Sequence, residues 1–163
     1  MKLDTILVPL DGSSLAEAAL PKAVELAESS GARLLLLRAT HVHTLPGVDP
    51  TEAQIRVVRE AEEYLAHVAD RLGDQGFKDA EPSVWYGPAA YAIIEAARLY
   101  TVDLIVMTTH GRSGLGRLIL GSVAESVLRG TTIPILLLRA AEAPVEVPTG
   151  KGEAVPRREA SRV

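Results

Sequence analysis

The chain has 163 residues, 47% hydrophobic and 23% charged, which is one domain's worth of globular composition and excludes wholesale disorder. It has no cysteine, so a disulfide framework, a thiolate metal site and a cysteine nucleophile are excluded as well. A formal charge of −4, no apolar run near the roughly 18 residues of a membrane span, and no basic-then-apolar leader pattern predict a cytoplasmic protein with neither nucleic acid nor membrane as partner.

Thr5 to Leu10 is a short apolar β-rich run, and Asp11-Gly12-Ser13-Ser14 supplies turn and cap residues, so strand, turn and helix are predicted in that order. Ser14 and Glu17 stand at capping-box spacing. The helix is predicted from Leu15 to about Ser29, with Leu20, Val24 and Ala27 as its buried stripe and Gly31 as its left-handed stop. Arg33 to Ala39 is the second strand; its four consecutive leucines do not alternate with polar residues, which suits a strand covered on both faces of a parallel sheet.

Thr40 to Pro50 breaks both periodicities and reads as a mobile loop. Thr51 and Gln54 form a second capping-box pair, and Ile55, Val57, Val58, Tyr64, Leu65, Val68 and Leu72 trace the apolar face of a long helix up to Gly73. A third strand is predicted over Glu81 to Tyr86. Gly87-Pro88 opens a helix with Ile93, Ile94, Ala97 and Leu99 facing inward. Leu104 to Thr108 is the fourth strand, Gly121 to Arg129 a helix ended by Gly130, and Ile135 to Leu138 the fifth strand. The order βαβαβαβαβ predicts an α/β fold: an open five-stranded parallel sheet with helices on both faces, Rossmann-like. After residue 139 large apolar side chains become scarce, so a domain over residues 1–139 and a flexible tail over 140–163 are expected.

In such a sheet ligands collect beyond the carboxyl ends of the strands where the strand order reverses, which directs attention to the segments after strands one and four. Gly111, Gly114 and Gly116 fall within six residues, and Gly121-Ser122 would present N–H groups and a hydroxyl at the positive end of a helix, a phosphate site by construction. The plainer alternative is a surface loop with a capping serine. Gly111 and Gly116-Arg117 have a P-loop's glycine spacing without its Lys and Ser/Thr, which argues against Walker-type chemistry. No G-x-G-x-x-G follows the first strand, which disfavours a nicotinamide or flavin site. His41, His43 and Asp49 lack a third close ligand, so no metal site is assigned. His67 misses the apolar stripes and is expected in solvent, His110 lies in the glycine loop, and Trp85 is expected to pack.

Three segments together carry a resemblance: Ile-Leu-Val-Pro-Leu-Asp-Gly-Ser-Ser at 6–14, Thr-His-Gly-Arg-Ser-Gly-Leu-Gly-Arg-Leu-Ile-Leu-Gly-Ser-Val-Ala-Glu-Ser-Val-Leu-Arg at 109–129, and Ile-Pro-Ile-Leu-Leu-Leu-Arg at 133–139. Over about residues 1–139 the chain resembles the universal stress protein family, whose fold is similar to that of adenine nucleotide α-hydrolases. The ATP-binding branch of that family carries Gly, two residues, Gly, nine residues, then Gly and Ser or Thr. Gly111, Gly121 and Ser122 fit, but Thr108 stands where the first glycine belongs. Its branched Cβ weakens a close approach unless its hydroxyl supplies a contact in return.

The resemblance implies ATP as ligand, with Mg2+ as counter-ion. Asp11 would meet the ribose or the adenine edge with Pro9 and Leu10 beside it, its alternative role being an Asx turn. Ala39 would offer backbone groups to adenine, Met107 and Thr108 would lie against the nucleotide, and Gly111, Gly121, Ser122 and Val123 would give N–H groups to the phosphates. Arg112 and Arg117 add charge unless they are solvated. The resemblance also implies a regulatory role in stress responses, with protein partners unnamed by the sequence, and a homodimer through the fifth strand, whose apolar Ile135 to Leu138 edge calls for cover. No general base, nucleophile and oxyanion hole meet in one motif, so rapid catalysis is not expected; slow ATP hydrolysis or autophosphorylation at Thr109, Ser113 or Ser122 stays open. The first competing reading is a nucleotide-independent dimeric interaction protein of the same fold. The second, a substrate-adenylating enzyme, is disfavoured because Leu10-Asp11-Gly12-Ser13-Ser14 has too few glycines for such an enzyme's loop.

Overall fold

A computed structural model describes residues 2–42, 49–109 and 121–139. His43, His110, Gly111, Arg112, Ser113, Arg117 and the 140–163 tail, all singled out above, lie outside the described residues. In chain order the elements are β1 (Thr5–Pro9), α1 (Ser14–Glu17), α2 (Leu20–Ser30), β2 (Arg33–Thr40), α3 (Thr51–Asp74), β3 (Ala80–Tyr86), α4 (Ala89–Leu99), β4 (Leu104–Thr108), α5 (Ser122–Gly130) and β5 (Ile135–Leu138). The five strands make one parallel sheet in the order β3-β2-β1-β4-β5, as the alternation of strands and helices predicts. β1 pairs with β2 from Thr5↔Arg33 to Pro9↔Leu37 and, on its other side, with β4 at Ile6↔Leu104 and Leu7↔Ile105. The order therefore reverses between β1 and β4.

Successive side chains of a strand point to opposite faces, and here each face finds its own cover. Ile6, Val8, Leu34, Leu36 and Val106 pack with Leu20, Ala23 and Ala27 of α2 and Leu65, Val68 and Leu72 of α3. Leu7, Leu35, Leu37, Ile105 and Met107 pack with Ile93, Ala96 and Ala97 of α4 and Ala124 and Val127 of α5. The leucine run of β2 is thus buried on both sides, the condition under which a strand loses its polar alternation.

Several local expectations are corrected. The first helix is interrupted between Glu17 and Leu20, because Pro21 has no N–H for the preceding turn; it sits instead in the first turn of α2, where none is needed. The cap of α1 is Ser13, not Ser14: the Ser13 Oγ accepts the Ala16 N–H at 3.1 Å. Glu17, freed from capping, accepts from the Tyr64 hydroxyl at 2.8 Å and from Arg71 at 2.5 Å, tying α1 to α3. Thr51 does not cap α3 either; its N–H and hydroxyl both donate to Asp49 Oδ1, at 2.9 and 2.6 Å. Ile55 and Leu99 are 55% and 62% exposed, since at 3.6 residues per turn each stands well to the side of its helix's buried stripe, Ala61-Leu65-Val68-Leu72 in α3 and Ala92-Ile93-Ala96-Ala97 in α4. Gly31 ends α2 in the left-handed conformation, φ 73°, as expected.

Candidate functional site

The carboxyl end of β1 runs straight into the first wall of the site. The Leu10 N–H donates to the Leu37 carbonyl at 2.8 Å, extending the β1–β2 ladder past Pro9. Asp11 then turns the chain: its Oδ1 accepts the Ser13 N–H at 2.9 Å and the Ser13 hydroxyl at 2.6 Å, the Asx geometry. Gly12, between them, has φ +83°, a left-handed conformation that glycine adopts without steric cost. Ser13 serves twice, donating to Asp11 and accepting at the start of α1.

The second wall comes from β4 and α5. Thr108 is 7% exposed and pairs with Leu138, while the Thr109 N–H donates to the Leu138 carbonyl at 2.9 Å. The Gly121 N–H donates to the Thr109 carbonyl at 2.8 Å, so a backbone bond ties the start of α5 to the end of β4. That bond occupies the amide expected to meet a phosphate. Gly121 is the N-cap of α5, and the Ser122, Val123 and Ala124 N–H groups have no intrahelical partners by helix geometry, leaving them as the donors of this end. Gly121 has φ −55° and ψ 147°, accessible to any residue.

Between these walls lies a cavity of about 250 Å³. Pro9, Leu10, Asp11, Ala39, Met107, Thr108, Gly121, Ser122 and Val123 all line it. Nine of the residues expected against the nucleotide thus meet at one place; Gly111, Arg112 and Arg117 lie outside the described residues. Thr108 forms part of the wall and leaves the cavity open. The remaining lining includes Leu37, Ala89 and Ile93, which the sequence reading did not place in the site. Leu37 could have been found from period-two alternation with Ala39. Ala89 and Ile93, one helical turn apart on α4, could not, because only the tertiary fold brings them beneath β2.

The lining is mixed in character. Leu37, Ala39, Ala89, Ile93 and Met107 line it with apolar side chains, and Asp11, Thr108, Thr109 and Ser122 bring polar groups from the strand ends and the start of α5. Such a cavity, slightly below the roughly 300 Å³ lower end of small-ligand clefts, suits a flat apolar group whose polar remainder extends toward the α5 terminus. Trp85 pairs with Ala39 across β2 and β3, packs against the core on the same face, and donates from Nε1 to Ser83 Oγ at 3.1 Å. His67 is exposed, and His41 stacks obliquely near Tyr86 with ring centroids 6.0 Å apart.

Comparison with known proteins agrees with the architecture. A universal stress protein from Methanocaldococcus jannaschii is 31% identical over 139 residues, covering 82% of this chain and 81% of its own length. Among solved structures, the hypothetical protein MJ0577, whose structure was used to assign its biochemical function, superposes with TM-score 0.78 at 26% identity, covering 88% of this chain and 100% of its own. A universal stress protein crystallised in complex with cAMP shares the fold at TM-score 0.67 and 24% identity, covering 85% and 98%. The family model described as "Universal stress protein family" matches residues 2–139. With a match over that span and a relative above 30% identity, the chain belongs to the universal stress protein family.

Proposed function

We propose that the chain is a nucleotide-responsive regulatory protein of the stress response that binds ATP, with Mg2+ as counter-ion, in the cavity at the β1–β4 crossover. The observation that carries this reading is the convergence on one cavity of Asp11, Ala39, Thr108 and the amino end of α5, contributed by four separate elements. In this reading Leu37, Ala39, Ile93 and Met107 receive the base, Asp11 meets the ribose, and the Ser122 and Val123 N–H groups face the phosphates. Bound ATP supplies negative charge at that helix end, and differential contacts in two states are what allow a ligand to shift a conformational population. The reading includes a homodimer through β5, a half-buried edge strand of four aliphatic residues.

Calorimetric titration with ATP, ADP and cAMP tests it, with Trp85 fluorescence as a second signal because this only tryptophan lies beside Ala39. Saturable ATP binding is expected, and Gly121→Val is expected to abolish it while the circular dichroism spectrum stays unchanged, since φ −55° tolerates valine. No binding up to millimolar ATP would instead favour the nucleotide-independent interaction protein. Sedimentation equilibrium is expected to give twice the 17.4 kDa chain mass.

A further inference from the structure

Residue 38 departs from the chemistry of its own strand. Leu34 and Leu36 are fully buried on the α2–α3 face of the sheet, and alternation puts position 38 on that face, nearer the carboxyl end of β2. An apolar side chain would complete the packing, yet the residue is a half-buried arginine. Arg33, Arg56, Arg71, Arg98 and Arg129 each have a carboxylate within 4.0 Å; Arg38 has none among the described residues, and unlike the exposed Arg59 and Arg139 it is half-buried. Its charge is met by an aromatic face, with Cζ 4.7 Å from the centroid of the Tyr64 ring.

The same guanidinium covers the first ligand-site turn. A Cβ placed on Gly12 would stand 3.5 Å from Nη1 and Nη2 and 3.6 Å from Cζ, so the flat guanidinium faces the side-chain side of Gly12 one Cβ contact away. Tyr64 is itself fixed by its hydrogen bond to Glu17, which Arg71 holds in turn. A planar, delocalised cation can lie flat on a ring and on a peptide together; a lysine ammonium cannot. Gly12 matters because it is the left-handed centre of the Asp11–Ser13 turn, and Asp11 is the turn's contribution to the cavity.

We propose that Arg38 is a positioning residue for the cleft: seated on the Tyr64 ring and facing Gly12, it walls in the Asp11–Ser13 turn and keeps it in the conformation that presents Asp11 to the cavity. It does so from the α3 side of the sheet without lining the cavity itself. The identity of the ligand rests on the nucleotide reading above; the mechanical link between Arg38 and the turn does not.

Two measurements on the full chain decide it, using Arg38→Met, which keeps an unbranched stem against Tyr64, and Arg38→Lys, which keeps the charge. In the ligand-free protein, amide hydrogen exchange across Gly12–Ala16 is expected to rise about tenfold in Arg38→Met and less in Arg38→Lys, with α4 and α5 unchanged. In titrations, the preference of the wild type for ATP over 2′,3′-dideoxy-ATP is expected to be about tenfold and to collapse toward unity in Arg38→Met, as in Asp11→Asn. Unchanged exchange at Gly12–Ala16, or equal weakening of both nucleotides with the preference intact, overturns the proposal. If the wild type binds neither nucleotide, the nucleotide reading falls and the exchange measurement alone decides for or against Arg38.

Discussion

Thr101 has φ +51°, the one positive value at a non-glycine position among the described residues. It follows α4, where the Val102 N–H reaches back to the Ala97 carbonyl at 2.9 Å and the Thr101 N–H to Arg98 at 3.4 Å, a closure that requires a left-handed residue at 101. A β-branched side chain there costs roughly 1–2 kcal/mol, partly offset in glycine by greater unfolded-state freedom. Thr101→Gly is therefore expected to raise stability by about 1 kcal/mol, read as a higher urea midpoint at constant slope. The side chain is exposed, so no packing is lost. Thr108 presents the opposite exchange. It ends β4 at the cavity wall, where the family's ATP-binding pattern has glycine. Thr108→Gly removes a branched Cβ from the wall and a good strand former from β4, so ATP is expected to bind about three- to tenfold tighter while stability falls by about 1 kcal/mol. Weaker binding in that variant would mean that the threonine hydroxyl, rather than open space, serves the ligand.

At the scale of elements, the short α1 is tied to α3 through Glu17, which both Tyr64 and Arg71 hold. The Tyr64 hydroxyl donates to Glu17, and burial first, then the neighbouring carboxylate, pushes the phenol well above the ordinary tyrosine value of about 10. Below pH 10 the phenol is protonated in both folded and unfolded chains, so its contribution is constant. Above pH 10 the unfolded chain ionises first, and stability is lost as pH rises. Tyr64→Phe is expected to cost about 1–2 kcal/mol near neutral pH, a gap that narrows in melts taken above pH 10. This tie also marks where local reading of the sequence stops. Ser14-x-x-Glu17 has the spacing of a capping box, but Ser13 wins the cap because Asp11 already holds its N–H and hydroxyl, and Glu17 is drawn to residues 47 and 54 positions away. Pro21, by contrast, was a local signal: a missing N–H in the middle of an apparent helix is enough to predict the break. Ile55 and Leu99 lie exposed because they sit off the buried stripes, Leu99 only two residues from the buried Ala97, and an apolar residue type does not by itself put a side chain on the packed face.

Across the whole molecule, the parallel sheet was legible because β2 carries four leucines in a row and each of the first four strands is followed by a helical period, while the cavity's back wall was not, because Ala89 and Ile93 meet Leu37 only after β2 and α4 are packed. The strand-tip residues were legible from topology, since whatever follows β1 and β4 must converge where the sheet order reverses. That convergence has a thermodynamic consequence for the entire fold. A ligand that needs β1, β2, β4 and α5 assembled binds the native chain and not the unfolded one, so at a hundredfold excess over its dissociation constant it adds about 2.7 kcal/mol of stability. For a domain of this size that is a rise of roughly 10 °C in melting temperature. Scanning calorimetry over a series of ATP concentrations is expected to show the midpoint climbing logarithmically in the wild type and staying flat in Gly121→Val. A parallel rise in both proteins would locate ATP somewhere other than the β1–β4 crossover, whatever its affinity.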